Sequence, residues 1–570
     1  MNVPFVQAAR NHSWKFLCLI VLLAFGLRLY FMVTHGAVIE NEGAGYAQQA
    51  EELLNGNKVG KSAEGGWLHW KKLGSAEDGL DLVETWFYPF LIAGTTLVTR
   101  DSEIATRLVS VVAGTCLIFP MYFLALRMYG RCAAAVVAAL VTVHPLLVSL
   151  SVAGYTEGLH LTLMMSGVYW AIRMLEPVSG RSWLFAGVLF GCAYLNRPEA
   201  LVFPFFTALL VVIVTFFNQY SWRSATTSVA RFLLVFFLVA SPYVIFFWKQ
   251  TGTIRFEGKN LVNYTIGRRI LSGMSYAEAS RGIDENLNAV GPLLDQNRFV
   301  TYSPYPRKLR NIAAYLFWMS RIRWRWLYFE IVPSFALGSA LLWFLAGLGL
   351  FGAVWDRQRF FQELLFLGVF SYLLTVLLAA QANWIRYSFP LLPFLLVWSA
   401  QGIINLYSWA KNSAEIILDG GAARAVVVGR AVALIPVVLV VASSAFGVSY
   451  VGELQMGRPS HLPIKEAGLW LRAYQPGPKN VFSSTVLAYY ADAYQLIFPY
   501  ADSELALRYI HRMNPDFIVI EQPSSEAQMP YLAGWAKQGI PDSRAKLIYE
   551  AGTPQSGRVQ IYSWSHRSDP

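Results

Sequence analysis

The sequence predicts a polytopic α-helical membrane protein that carries a small α/β domain at its C-terminal end. Three observations predict it. Of 570 residues, 55% are hydrophobic and only 14% charged, with a mean hydropathy of +0.41, a balance that water-soluble globules of this size do not show. Apolar runs of membrane-crossing length recur as far as Val451, and from about Gly457 to Pro570 the composition becomes ordinary.

A hydrocarbon core of about 30 Å needs about 20 apolar residues per helix. Eleven runs qualify, near 16–34, 104–126, 132–150, 158–174, 182–196, 200–217, 232–248, 332–353, 362–380, 389–409 and 431–451. The first is long for a signal segment and lacks a small-residue cleavage site, which predicts a retained helix. Lys and Arg gather in one set of short loops (Arg10, Lys15, "RMYGR" at 127–131, Arg173, Arg181, Arg223, Arg231, Arg357, Arg359, Lys411, Arg424, Arg430), so that side is predicted to be cytoplasmic. Eleven crossings then leave the chain after Val451 outside.

Two long loops fall on that outer side. Residues 35–103 contain "YAQQAEELL", read as a short surface helix, and "FYPFLIAGTTLVT", read as a second, partly immersed one. Residues 249–331 carry thirteen Lys/Arg against six Asp/Glu; long loops are exempt from the positive-inside rule, so the topology stands. The loop ends in "RKLRNIAAYLFWMSRIRWRWLYF" (307–329), whose arginines alternate with aromatic residues as in a helix resting at headgroup level. The domains expected are thus a membrane region, 1–455, and an extracytoplasmic α/β domain, 456–570. In the latter, "EAGLWLRAY" and "SELALRYIHRM" have helical patterning and "NVFSS", "DFIVIE", "AKLIYEAG" and "RVQIYSW" strand patterning.

The net charge of +11 lies in loops between apolar runs, where cytoplasmic retention or lipid phosphates account for it, so a nucleic-acid partner is discarded. Cys18, Cys116, Cys132 and Cys192 lie in or at the ends of apolar runs with no metal-ligand spacing and read as packing residues.

The informative residues are charges at the predicted outer surface. Glu40 and Glu42 stand in "ENEGAGY" just after the first apolar run, and Glu157 in "SVAGYTEGLHL" between the third and fourth. Each acid also has a plainer reading, as an N-terminal carboxylate favoured by a helix macrodipole. Arg197 in "YLNRPEALVFP" and Arg386 in "NWIRYSFPLLP" interrupt apolar stretches, and a charge at membrane depth is costly enough to suggest a function. Arg197 has Glu199 beside it; Arg386 has no acid nearby in sequence, so a ligand phosphate or one of the distant glutamates is its natural counterion. Acids that accept a proton and guanidinium groups that hold an anion form a coherent site for glycosyl transfer from a lipid phosphate.

These segments, with "FYPFLIA" and "RMYGRCAAAVVAALVTVHPLLVSLSVAGYTEGLHL", resemble the GT-C superfamily of polyprenyl-phosphate-sugar glycosyltransferases, in the branch of protein O-mannosyltransferases and lipid A aminoarabinose transferases. The family's first-loop motif is Asp-Glu with a tyrosine four residues after the Asp. Here Glu42 takes the Asp place before Tyr46, Gly43 stands where the second acid is usual, and Glu157 replaces the second-loop Asp. Aminoarabinose-type members carry a Lys-Pro-Pro whose lysine place is taken here by Glu84, with Lys71 or Lys72 as substitutes.

The resemblance implies a sugar on undecaprenyl or dolichyl phosphate, transferred with inversion outside the membrane to a glycan, lipid or protein acceptor. Glu42 would be the base or acceptor-orienting acid with Glu157 supporting it; Arg386, Arg197, Tyr46, Tyr387, Lys71 and Lys72 would bind substrate. A divalent cation beside the acids is compatible with them, but no His/Cys ligand cluster supports one. Compact loops and the α/β tail favour a bacterial inner membrane; "NYT" at 263–265 would matter only in a eukaryotic secretory membrane. Two other classes compete: a transporter or flippase of lipid-linked sugars, disfavoured by charges gathered at one surface without an internal repeat, and a non-catalytic envelope assembly protein.

Overall fold

The computed structural model describes residues 3–35, 38–39, 41–55, 85–176, 180–218, 221–295, 299–300, 303, 309–380, 385–417, 422–450, 461–522, 529–553 and 557–566. The chain begins with α1 (Val3–His35), after which α2 (Asn41–Asn55) and α3 (Phe87–Thr99) lie at one end of the bundle. The bounds of α3 match the second helix expected in the first loop, whereas α2 starts five residues before the expected "YAQQAEELL" and so takes in Glu42. The bundle continues through α4 (Ser102–Cys116), α5 (Ile118–Met128), α6 (Arg131–Val143), α7 (Pro145–Val152), α8 (Glu157–Met174), α9 (Ser182–Asn196), α10 (Phe203–Asn218) and α11 (Trp222–Thr251). After α12 (Lys259–Leu271), α13 (Tyr276–Arg281) and α14 (Leu309–Trp326), it closes with α15 (Ser339–Phe351), α16 (Arg357–Ala379), α17 (Leu392–Ile417) and α18 (Ala422–Tyr450).

Every one of the eleven apolar runs contains a helix, but they differ in their ability to cross a bilayer. Among the described residues seven helices are long and apolar enough, and an eighth span results if α6 and α7 count as one. That pair is bent by 51° between Val143 and Pro145. The helices of the runs 182–196 and 332–353, Ser182–Asn196 and Ser339–Phe351, are apolar but short. Hydrophobicity alone set the expected count, and it does not register where a proline or a glycine breaks the backbone.

At the end of the bundle away from α2, a buried carboxylate gathers four elements. Glu363 of α16 accepts from the Tyr129 hydroxyl and, at 2.9 Å, from Trp398 Nε1 of α17, and faces Arg359 Nε at 3.3 Å. Arg359 in turn donates to the carbonyls of Gly349 (3.0 Å) and Leu350 (3.3 Å), satisfying groups that the end of α15 leaves unpaired. All these charges have partners, so the cluster reads as structural.

In α14 Phe317, Trp318, Ile322 and Trp324 are exposed while Tyr315, Met319, Arg323 and Trp326 are buried, the two faces of an amphipathic surface helix.

The C-terminal region begins with α19 (Leu462–Tyr474). It then alternates β1 (Asn480–Phe482), α20 (Thr485–Ala491), β2 (Tyr494–Leu496), α21 (Ser503–Met513), β3 (Phe517–Gln522), α22 (Pro530–Gln538), β4 (Ala545–Thr553) and β5 (Gly557–Trp564). Its sheet has the order β2-β1-β3-β5-β4, parallel among β2, β1 and β3 and antiparallel at β5 and β4. Alternate residues serve opposite faces: Val481, Phe517 and Val519 pack with α19 and α20, Phe482, Ile518 and Ile520 with α21 and α22. Each helix and strand expected in this region is present. Three further ones, α20, β2 and α22, went unread because they are short and lack a clear apolar period.

Candidate active site

Four side chains predicted from separate parts of the sequence meet at the α2 end of the bundle. Glu42 lies in the first turn of α2 and Glu157 in the first turn of α8, where helix dipoles favour negative charge, so the plainer reading of each acid also holds. Arg197 follows the last residue of α9 with an extended backbone (φ −149°, ψ 121°), the conformation imposed on a residue before proline, here Pro198. Arg386 lies in the 3₁₀ turn Ile385–Leu391 that leads into α17.

Arg386 Nη2 donates to Oε1 of Glu42, and Arg386 Nε stands 3.7 Å from Oε1 of Glu157. The same Glu157 oxygen is 3.6 Å from Arg197 Nη1, while Arg197 Nε donates to Glu199 Oε1 at 2.7 Å. Two guanidinium groups thus alternate with three carboxylates. Glu157 is fully buried, whereas about a third of the Glu42 side chain (34%) is exposed. Burial pushes the Glu42 carboxyl up, but the charges of Arg386 and Lys259, the Arg386 hydrogen bond and the more distant Arg197 outweigh it. The carboxyl is held below the usual carboxylate range.

Rings set the arginine planes: Arg386 lies over Tyr155 at 4.6 Å and Tyr387 at 5.7 Å, and Arg197 over Phe389 at 5.2 Å. Tyr155 is fixed in turn, its carbonyl accepting from Ser110 Oγ at 2.7 Å, with the Tyr88 hydroxyl 2.7 Å from the same Ser110. Tyr46 is buried edge-on against Tyr88, ring centroids 5.2 Å apart. Thr156 Oγ1 stands 3.5 Å from both Arg197 Nη1 and Glu157 Oε2, and its carbonyl accepts from Asn196 Nδ2 at 3.2 Å.

The missing second acid of the first-loop motif has a steric reason. A Cβ on Gly43 would lie 3.2 Å from the Gly154 carbonyl oxygen, 3.3 Å from that of Ala153 and 3.1 Å from Ile39 Cγ1. Gly154 itself has a positive φ of 78°. The two turns that carry Glu42 and Glu157 therefore touch backbone to backbone, and an acid at position 43 would face two carbonyl oxygens.

Tyr155, Thr156, Lys259 and Tyr276 join the site although nothing in the sequence singles them out. Lys259 and Tyr276 come from the second long loop: the Lys259 charge helps to hold the Glu42 carboxyl down, and the Glu42 charge adds to the burial that raises the Tyr276 hydroxyl. Glu40, Lys71, Lys72 and Glu84 lie outside the described residues. Among the described residues no group of three His, Cys, Asp or Glu is placed to hold a metal ion. The acids there face arginines.

Comparison with known proteins bears on what such a site does. The family model of dolichyl-phosphate-mannose-protein mannosyltransferases matches residues 84–246, the stretch that holds Glu157 and Arg197. The archaeal oligosaccharyltransferase AglB of Archaeoglobus fulgidus, solved with an inhibitory peptide and a dolichol-phosphate, is 14% identical. It matches with a TM-score of 0.57 over 99% of this chain and 75% of its own. ArnT of Cupriavidus metallidurans, solved bound to undecaprenyl phosphate, is 12% identical, with a TM-score of 0.54 over 97% of this chain and 98% of its own. The chain has the GT-C glycosyltransferase fold. A comparison with curated proteins finds no relative of significant sequence similarity. The GT-C match extends through the C-terminal sheet of this chain as well as its bundle.

Proposed function

We propose that this protein is an integral membrane glycosyltransferase that moves a sugar from a polyprenyl-phosphate donor to an acceptor on the extracytoplasmic face, with inversion at the anomeric carbon. The observation that carries the reading is the sharing of Arg386 between Glu42 and Glu157, which puts a proton acceptor and an anion holder side by side. The match to the mannosyltransferase family model, and the dolichol-phosphate and undecaprenyl phosphate bound to the two structural neighbours, support a lipid phosphate as the donor's leaving group.

In the step this implies, the acceptor's nucleophilic atom bonds to the anomeric carbon as the bond from that carbon to the phosphate oxygen breaks. The acceptor proton passes to the Glu42 carboxylate, and the polyprenyl phosphate leaves with the bonding pair. Arg386 and Arg197 stabilise the charge that grows on the leaving phosphate, an electrostatic contribution that is large where water is excluded. While Arg386 pairs with Glu42, that carboxylate is a weak base; drawing Arg386 toward the phosphate raises its basicity as the proton must move. Glu157, buried between both arginines, keeps them charged and oriented. Tyr46 and Tyr387 bound the same space, and Lys71 or Lys72 of the first loop would add a cation for the phosphate.

The test is Glu42→Gln in membranes supplied with lipid-linked sugars extracted from cells lacking the protein. Transfer is expected to vanish while membrane insertion is unchanged; full activity in this variant removes Glu42 as the base.

A further inference from the structure

Arg28 of α1 is fully buried among apolar helices, and the catalytic scheme does not use it. Among the described residues no acid pairs with it. Its donors go instead to the break between α6 and α7: Nη2 to the Val141 carbonyl at 3.0 Å, Nη1 to the Thr142 carbonyl at 3.4 Å, and Nε to Ser151 Oγ at 3.3 Å. A fourth bond returns to its own helix at Ala24 O, 3.3 Å.

The sequence explains why those carbonyls need a donor. In a continuous helix the amide of residue 145 would bond the carbonyl of residue 141, but residue 145 is proline and has no N–H. The bend that follows takes the next amide away from Thr142 as well, while the ladder holds on either side, from His144 N to Leu140 O at 2.8 Å and from Val148 N to His144 O at 3.1 Å. In a hydrocarbon surrounding no water can supply the missing donors, so the guanidinium does. Ser151 completes the tie, since its hydroxyl accepts from Arg28 and donates to the Leu147 carbonyl at 2.6 Å.

The two segments joined in this way are those that carry the acids. α1 leads through Ile39 to Glu42, and α7 ends at Val152, just before the turn to Glu157. We propose that Arg28 is a positioning residue for the transfer reaction: by filling the Pro145 break it locks α1 to the α6–α7 bend and so sets the spacing of Glu42 and Glu157. This rests on the glycosyltransferase reading for its kinetic consequence, though not for its structural one.

The experiment compares Arg28→Met, Arg28→Lys and the double variant Arg28→Met/Pro145→Ala in the full-length protein. It measures kcat and donor KM with lipid-linked sugar, thermal unfolding, and amide exchange in detergent. An ångström of misplacement costs on the order of 100-fold in rate, so Arg28→Met is expected to lower kcat by about that factor with little change in donor KM. Arg28→Lys should recover much of kcat. Pro145→Ala restores the missing N–H and straightens the bend, so the double variant should regain unfolding temperature but not kcat. Full kcat in Arg28→Met, or return of kcat together with stability in the double variant, overturns the proposal. Amide exchange decides the structural part even if the wild-type chain transfers no sugar: Arg28→Met must speed exchange in 145–157 and 41–55 above the rest, and unchanged rates there overturn it.

Discussion

Arg386 and Glu42, 344 residues apart in the chain, form a hydrogen-bonded ion pair at the end of the bundle where the C-terminal sheet domain docks. Its effect on folding has a predictable sign. The Glu42 carboxyl lies below its unfolded value of about 4.3, so its ionised form stabilises the fold fully above that pH and does so less as pH falls through the lowered native value. In Arg386→Gln, burial loses its main counterweight and the carboxyl rises toward or past the unfolded value, so ionised Glu42 stabilises the fold less at neutral pH while its protonated form in acid is affected little. The difference in Tm between wild type and Arg386→Gln is therefore expected to be largest near neutrality and to shrink toward about pH 4; a gap independent of pH would assign the loss to packing.

Glu157 should tolerate truncation least of the three acids. It is fully buried and faces both arginines, and removing one partner from such a group costs about 3–5 kcal/mol. Glu199, which among the described residues forms an ion pair only with Arg197 and is partly exposed, should cost less. Thermal unfolding of Glu157→Ala and Glu199→Ala in detergent checks the order, and equal losses would contradict it.

Position 43 distinguishes this chain from the first-loop pattern it resembles. Gly43→Asp, which restores the usual second acid, should lower stability by about 1–3 kcal/mol, the usual scale of overpacking, because its side chain meets the Ala153 and Gly154 carbonyls. Gly43→Ala should cost less. Activity should fall with stability in Gly43→Asp, measured by transfer at a temperature below its midpoint. An active, stable Gly43→Asp would show that the two turns are free to separate.

The C-terminal domain packs on α2 through Ala44 and Ala47 and ties down its neighbours, Ile39 before it and the start of α4. Tyr490 OH accepts from Ile39 N at 3.1 Å, Tyr489 OH lies 2.7 Å from Ser102 Oγ, and Lys465 Nζ donates to Glu103 Oε2 at 3.1 Å. Tyr490→Phe strands the buried Ile39 N–H, a loss of about 1–3 kcal/mol, three residues before Glu42. Faster amide exchange in α2, with lowered transfer, is the expected result; unchanged exchange would show the contact to be dispensable.

Several of these features are legible in the sequence. For Arg386, an arginine at membrane depth without a local acid, the sequence leaves a ligand phosphate or a distant glutamate as counterion, and only the tertiary structure selects Glu42. α3 and most of the C-terminal strands are legible to within a few residues, since their apolar periods are strong, whereas the first turn of α2, polar and glycine-rich, is not. The partners from the second long loop, Lys259 and Tyr276, are not, because a polar loop residue has no periodicity to reveal which way it faces. Arg28 lies inside an apolar run whose overall hydrophobicity hides a single charge, and its need arises from Pro145, far away in the chain.

Composition and patterning were enough to establish a many-helix membrane protein with acids and arginines at its loop ends, because burying apolar area in lipid and satisfying the backbone within helices constrain the chain locally. Which acid meets which arginine is a matter of long-range packing. It depends on the backbone contact of Gly43 with Gly154 and on the bend at Pro145, each a steric event between segments whose approach no local rule encodes.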